Sequence, residues 1–199
     1  MYDFGNRNSG SKIRTFLSLN IERSLQSKFK GIQDNVKPAL RDYPVKWEDS
    51  DKFHLTLRFL GEIANDKISE LIFVLDRRKF EFDTIKFTAK GIGFFPNQNY
   101  PNVVFVDLEE HGNNSQKLVK FIDRIILNFG VKPDKRFVPH VTLGRFKRDK
   151  RVKIDKQIIV KVEQIGIEMD SFYLMKSILT PKGSVYETIN QFKFNPNLN

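Results

Sequence analysis

Three histidines occur in the chain, and two of them open the same tetrapeptide: His54-Leu55-Thr56-Leu57 and His140-Val141-Thr142-Leu143. At ordinary composition, any one histidine is followed by an apolar residue, Thr and Leu with a chance of about one in several hundred. One such motif reads equally well as an ordinary strand histidine; the matched pair does not. In an extended strand, side chains at i and i+2 share a face, roughly 7 Å apart. His54 and Thr56 therefore form one front and His140 and Thr142 another, while Leu55, Leu57, Val141 and Leu143 turn toward a core. Two histidines near neutral pH can supply one base and one acid. Two Thr hydroxyls can donate to oxygens on which charge builds. That set suits displacement at the phosphorus of a phosphodiester, where the nucleophile must lose a proton and the leaving oxygen must gain one. Two histidines without clustered carboxylates make a poor metal ligand set, so neither a metal nor a cofactor is expected.

The elements that must position these residues follow from periodicity. Residues 13–19 alternate and predict a strand. Residues 22–36 predict a helix, with Leu25, Phe29, Ile32 and Val36 on one face and Pro38 at its end. A strand over 52–60 closes at Gly61, and a helix over 66–76 carries Ile68, Leu71, Ile72 and Leu75 at i, i+3, i+4, i+7 spacing. Residues 80–95 read as one long strand with bends at Gly91 and Gly93. A strand over 102–109, a helix over 115–129 ended by Gly130, and a strand over 138–146 come next. The stretch 147–161 fits either a short helix or an irregular basic loop. A hairpin of strands 167–179 and 185–194 turns at Thr180-Pro181-Lys182-Gly183, where Pro and Gly suit a type I turn.

The order strand, helix, strand, further β structure thus occurs twice, each time with H-x-T-L on its second strand. The expected fold is α+β: two pseudo-symmetric lobes, each a mainly antiparallel sheet with helices on its outer face, around a central cleft. The duplicated halves run over about 12–98 and 99–199, with interleaved lobes, and residues 1–11 read as a flexible leader. The period is far longer than that of a solenoid repeat.

Neighbours of the two motifs are further candidates. Arg145 would contact phosphate, although strict alternation puts it opposite His140, so the strand must end, bulge or twist after Gly144. Gly144 itself falls on the His–Thr face, where a missing side chain leaves room for a ligand. Arg58 has the parity of His54 and Thr56 and could line the cleft. Phe95 and Tyr186 could stack on a base, with core packing the competing role for Phe95. Trp47 reads as a packing residue at the cleft edge, His111 as a surface-loop histidine.

Bulk composition narrows the class. The 199 residues are 40% hydrophobic and 29% charged, as in an ordinary globular chain, and 19 Phe supply core. Without cysteine there is no disulfide, thiolate metal site or catalytic thiol. No stretch reads as a signal peptide or a transmembrane helix, and a cytoplasmic monomer without membrane association is expected. Lys plus Arg is 34 against 24 Asp plus Glu, a balance of +10 that favours polyanions such as nucleic acid. The densest basic run, residues 145–153, begins at the second motif.

These features resemble the 2H phosphoesterase superfamily, and within it the LigT-like RNA 2′,3′-cyclic phosphodiesterases, also called 2′-5′ RNA ligases. The likeness rests on FHLTLRFLG at 53–61, PHVTLGR at 139–145, GIGFFP at 91–96, SILTPKGSVYE at 177–187 and RTFLSL at 14–19. It implies hydrolysis of an RNA 2′,3′-cyclic phosphate to a 2′-phosphomonoester. His54 would be the proton donor to the 3′ oxygen and His140 the proton acceptor from water, with Thr56 and Thr142 on the phosphate. Other 2H phosphodiesterase activity, 2′-5′ ligation of RNA ends, or a non-catalytic RNA-binding module are the alternatives.

Overall fold

A computed structural model describes residues 11–77, 82–133, 136–147, 152–154, 157–181 and 183–194. Most of the expected leader and the turn residue Lys182 lie outside these. The elements, in order, are β1 (Lys12–Asn20), α1 (Arg23–Val36), β2 (Val45–Trp47), β3 (His54–Ala64), α2 (Asn65–Asp76), β4 (Ile85–Phe95), β5 (Val103–Glu110), α3 (Asn114–Leu127), β6 (His140–Phe146), β7 (Gly166–Met169), β8 (Ser171–Thr180) and β9 (Gly183–Lys193).

They build two antiparallel sheets, one of four strands in the order β3-β1-β8-β9 and one of five in the order β2-β6-β5-β4-β7. The α+β class and the two-sheet architecture match the sequence reading. The two motif strands occupy corresponding places: β3 pairs with β1, which precedes α1, and β6 pairs with β5, which precedes α3. Each sheet is then completed by the other half of the chain. β8 and β9 continue from β1, and β4 continues from β5.

One core joins the backs of both sheets and the helices. Leu17, Leu19 and Leu55 of the first sheet, Val104, Val106, Val141 and Leu143 of the second, and Phe29 and Ile122 of the helices are all wholly buried in it. Such burial stabilises by about 1.5–3 kcal/mol for each Leu or Phe side chain. α3 shows why it forms where it does: Leu118, Val119, Ile122, Ile125 and Ile126 make a single apolar stripe with helical period.

Some expectations change in detail, and among the described residues of 147–161 the irregular-loop alternative is the one found. The strand expected over 80–95 begins at Ile85, and the strand over 167–179 is two, divided at Asp170. Of the basic stretch 147–161, the described residues form neither helix nor strand. They make a strap pinned by buried Val152, Ile154 and Ile158, with the Ile154 N–H donating to the Asn99 carbonyl at 3.1 Å. The short strand β2, which pairs with β6 and begins right after Pro44, was not foreseen.

Candidate functional site

The site grows from a break in alternation that both motif strands share. Against β1, β3 runs Ser18↔Thr56 and then Leu17↔Arg58, so Leu57 is the extra residue of a bulge. Against β5, β6 runs Phe105↔Thr142 and then Val104↔Gly144, so Leu143 is the extra residue. Up to the bulge the expected parity holds: His54, Thr56, His140 and Thr142 are half-buried on the front, with their neighbours in the core. Beyond the bulge parity inverts. Arg58 and Gly144 turn inward, and Phe59 and Arg145 come to the front.

Two candidate roles are corrected by this inversion. Arg58 does not line the cleft. It is 8% exposed and forms a two-toothed ion pair with Asp123 of α3, Nε to Oδ1 at 2.6 Å and Nη2 to Oδ2 at 3.0 Å. Its Nη1 donates to the Leu57 carbonyl at 3.0 Å, satisfying the bulge's own acceptor. Gly144 leaves no room for a ligand either. A Cβ there would stand 2.8 Å from Val45 Cγ1, 3.0 Å from Trp47 Cε3 and 3.1 Å from the Lys46 carbonyl oxygen, so the glycine admits β2. Gly144→Ala is therefore expected to push β2 outward, to cost about 1–3 kcal/mol in urea unfolding, and to loosen Arg145. Unchanged stability in that variant would mean that β2 is not held against the bulge.

The second bulge has its own clamp. The Leu143 carbonyl accepts from the Glu48 N–H at 2.9 Å and from Nε2 of the buried Gln33 at 2.9 Å. Gln33 also donates to the Glu48 carbonyl at 2.7 Å. Each helix thus braces the bulge on the motif strand of the other half, α1 through Gln33 and α3 through Asp123. Arg145, which needed a bulge to reach the front, gains one, and its Nε donates to Glu48 Oε1 at 3.3 Å.

Both histidines are oriented in the same way. His54 Nδ1 lies 2.6 Å from the Lys52 carbonyl, and His140 Nδ1 lies 2.7 Å from the Val138 carbonyl, each two residues back. A carbonyl only accepts, so Nδ1 carries the hydrogen and Nε2 is the atom left for chemistry. His54 Nε2 meets the Thr56 hydroxyl at 3.1 Å. Aromatic rings wall both imidazoles. Phe16 and Tyr186 stand 5.2 and 5.3 Å from His54, and Phe95 and Phe105 stand 4.9 and 5.2 Å from His140. Phe105 reaches its place by lying over Gly93, where a Cβ would collide with the ring. Phe95, stacked on Phe105 with centroids 4.1 Å apart, both packs and faces His140. Trp47 sits at the cleft edge, and His111 is an exposed residue bonded to Thr88 at 2.7 Å.

Burial in these aromatic corners lowers both histidines from the ordinary value. His54 falls to about 4, with Arg145 and His140 adding to the effect against the opposing pull of the Lys52 carbonyl. His140 is lowered by the same burial and by Arg145, against the pull of the Val138 carbonyl and, more weakly, of Asp107. Asp107 is the residue directly opposite His140 on β5, and its counterpart opposite His54 on β1 is the neutral Asn20. Directly paired residues in an antiparallel ladder point to the same face. Sequence reasoning missed Asp107, Phe59, Gln33 and Asp123. Only strand pairing reveals the first, only the bulge the second, and only tertiary contact the last two.

β3 and β6 lie against each other, and His54 of the first and Arg145 of the second line the same cleft. The cleft reaches about 400 Å³ between His54, Arg145, Tyr186 and β2, and a second cavity of about 330 Å³ lies on the other side of His54 and Tyr186. Among the described residues, no group of three or more His, Cys, Asp or Glu could hold a metal ion. None of their helices is long and apolar enough to cross a membrane.

Residues 19–105 and 106–186 each match the family model described as LigT like Phosphoesterase. An RNA 2′,3′-cyclic phosphodiesterase of Methanocaldococcus jannaschii is 31% identical, over 90% of this chain and 100% of its own length. Another, from Archaeoglobus fulgidus, is 31% identical over 91% and 100%. Among solved structures, TT0787 of Thermus thermophilus superposes with a TM-score of 0.77 at 23% identity, covering 91% of this chain and 97% of the other. Escherichia coli LigT in apo form gives 0.71 at 16%, covering 94% and 99%.

Proposed function

Because this chain belongs to the LigT-like phosphoesterases, we propose that it opens the 2′,3′-cyclic phosphate at the end of an RNA, leaving a 2′-phosphomonoester, without a metal ion. The observation that carries this reading is the matched pair of bulged strands. Each presents a histidine whose Nδ1 is tied to a carbonyl and whose Nε2 is left for a proton transfer.

In the proposed reaction, Nε2 of His140 takes a proton from water as its oxygen bonds to phosphorus. The bond from phosphorus to the 3′ oxygen breaks, and His54 gives that oxygen the proton on its Nε2. Asp107 supports this division of labour. A carboxylate opposite His140 favours the imidazolium that a general base becomes, and Asn20 opposite His54 offers no such charge. When His54 is protonated, its Nε2 becomes the donor to Thr56. The Thr56 hydroxyl hydrogen is then free to point at a phosphate oxygen. Thr142, on the matching front, and the Arg145 guanidinium add donors for charge on the non-bridging oxygens. We read residues 12–199 as one bilobal unit arisen by duplication, a reading supported by the matched β1-α1-β3 and β5-α3-β6 orders.

The test is hydrolysis of a short RNA ending in a 2′,3′-cyclic phosphate with EDTA present. Turnover to a 2′-phosphate is expected. A 3′-phosphate product would reverse the leaving oxygen, and no turnover by folded protein would leave a different phosphodiester substrate or an RNA-binding module. The pH profile carries a sign. The acid must hold a proton, and burial lowers both histidines, so the protonated fraction in the free protein shrinks as pH rises. The optimum of kcat/KM is therefore expected on the acidic side of the ordinary histidine value, because this parameter reports the free enzyme.

A further inference from the structure

Glu48 is an acid that no step of the proposed reaction uses. It lines the 400 Å³ cleft with His54, Arg145 and Tyr186, and its Oε1 accepts from Arg145 Nε at 3.3 Å. The Arg145 side chain is 52% exposed, so water already stabilises its charge. An ion pair this open to solvent adds little to stability. A carboxylate beside the guanidinium that is to hold a phosphate also opposes the binding of any anion there. Neither folding nor substrate affinity accounts for this acid.

The fold nevertheless fastens it in place. The Glu48 N–H donates to the carbonyl of Leu143, the bulge residue of β6, at 2.9 Å. The Glu48 carbonyl accepts from Gln33 Nε2 at 2.7 Å, and the same buried amide donates to Leu143 at 2.9 Å. The bulge that brings Arg145 forward thus also holds the backbone of Glu48, so guanidinium and carboxylate are presented together. The carboxylate is felt at the Tyr186 phenol beside His54, which burial pushes up and Glu48 pushes up further. As a pair, Arg145 and Glu48 offer N–H donors without net positive charge. That distinction matters because ring opening changes the charge of the ligand. A cyclic diester carries one negative charge. The monoester formed from it loses a second proton to solvent and carries about −1.5 to −2 near pH 7. Donors serve both ligands, but repulsion by a fixed carboxylate grows with the charge of the ligand.

We propose that Glu48 is a specificity-determining residue that sets the site against phosphomonoesters, so that the product leaves once its second charge has formed. The inference rests on the cyclic-phosphate reading above and deepens it: the same site tells its substrate from its product by charge.

The experiment measures Kd by titration calorimetry for two ligands, adenosine 2′-phosphate and its methyl ester, which differ by one methyl group and one charge. The proteins are wild type, Glu48→Gln and Glu48→Asp, at a pH of about 7.5, where the monoester is chiefly the dianion. Binding needs no turnover, so a slow variant is still read. Glu48→Gln is expected to tighten the monoester by about 3- to 30-fold more than the methyl ester. Glu48→Asp keeps the charge and should keep the wild-type ratio. A ratio that Glu48→Gln leaves unchanged overturns the proposal. Equal tightening of both ligands does so too, since Glu48 would then only compete for the donors of Arg145. An Asp variant that behaves like the Gln variant also overturns it, because charge would not be the cause. Hydrolysis of the cyclic-phosphate RNA by wild type is assayed alongside. If that RNA is hydrolysed while the ratio stays flat, only the role of Glu48 fails. If it is not hydrolysed, the cyclic-phosphate reading fails and the proposal with it.

Discussion

His54→Ala and His140→Ala are each expected to lower kcat on an RNA 2′,3′-cyclic phosphate by about 10²–10⁴-fold, the usual worth of one positioned acid or base. KM should change little, since the Thr hydroxyls and the cationic residues remain. The two losses should not add. Acid and base act on one transition state, so the double variant should be scarcely slower than the worse single one. Single-turnover rates of the three variants read both statements. Additive losses would mean that the histidines act in separate steps, and a single variant within tenfold of wild type would remove that histidine from the chemistry. Asp107→Asn is a milder companion in the same assay. Removing the carboxylate that opposes the lowering of His140 should move its titration further to acid.

The largest effect on stability is expected at Asp123. Its carboxylate is the counter-charge of a guanidinium whose side chain is 9% exposed. Asp123→Ala leaves that charge buried and unpaired, which costs about 3–5 kcal/mol. In a chain of this size each kcal/mol moves Tm by about 2–4 °C, so a fall on the order of 10 °C is expected. Replacing both partners by apolar residues, Arg58→Met with Asp123→Leu, should recover most of the loss, because no buried charge then remains. Urea unfolding of the single and double variants decides it. A single-variant loss under about 1 kcal/mol would mean that water compensates the guanidinium. The double variant also asks about the bulge. It lacks the donor to the Leu57 carbonyl, so it should remain folded yet hydrolyse more slowly if that donor fixes the direction of Thr56 and His54.

Legibility in the sequence followed the range of the interactions. The fronts of β3 and β6 could be read because period two is a local property that His-x-Thr displays directly. The helices could be read because each carries its own apolar stripe. Arg58 was misplaced because a bulge is decided by the partner strand. Nothing in Leu57-Arg58 announces that both residues face inward until Asp123, on a distant helix, is there to receive the guanidinium. In the second motif Gly144 did signal an irregularity, and Arg145 does come to the front, although the bulge falls at Leu143, before Gly144 and not after it. The reason given for Gly144 was nevertheless wrong, since β2, which presses on it, is only three residues long and too short to show a period. Interleaved lobes were expected, but which strands the halves exchange was likewise invisible. β4 and β8 read as strands, but alternation does not say which neighbour a strand will choose.

That exchange has a consequence for how the protein comes into being. A chain emerging from the ribosome could pair β1 with β3 early, but the other edge of β1 must wait for β8, so that Thr15 meets Lys176 and Ser18 meets Tyr173. Loops of that span close slowly, and a strand edge left open in the meantime is a template for pairing with another molecule. The +10 charge and the basic side chains of β1, Lys12 and Arg14, repel like chains during this interval. The wait also ties competence to completeness. Tyr186, which walls His54, arrives on β9 beside β8, so a nascent chain that already holds both histidines still lacks one side of its cleft.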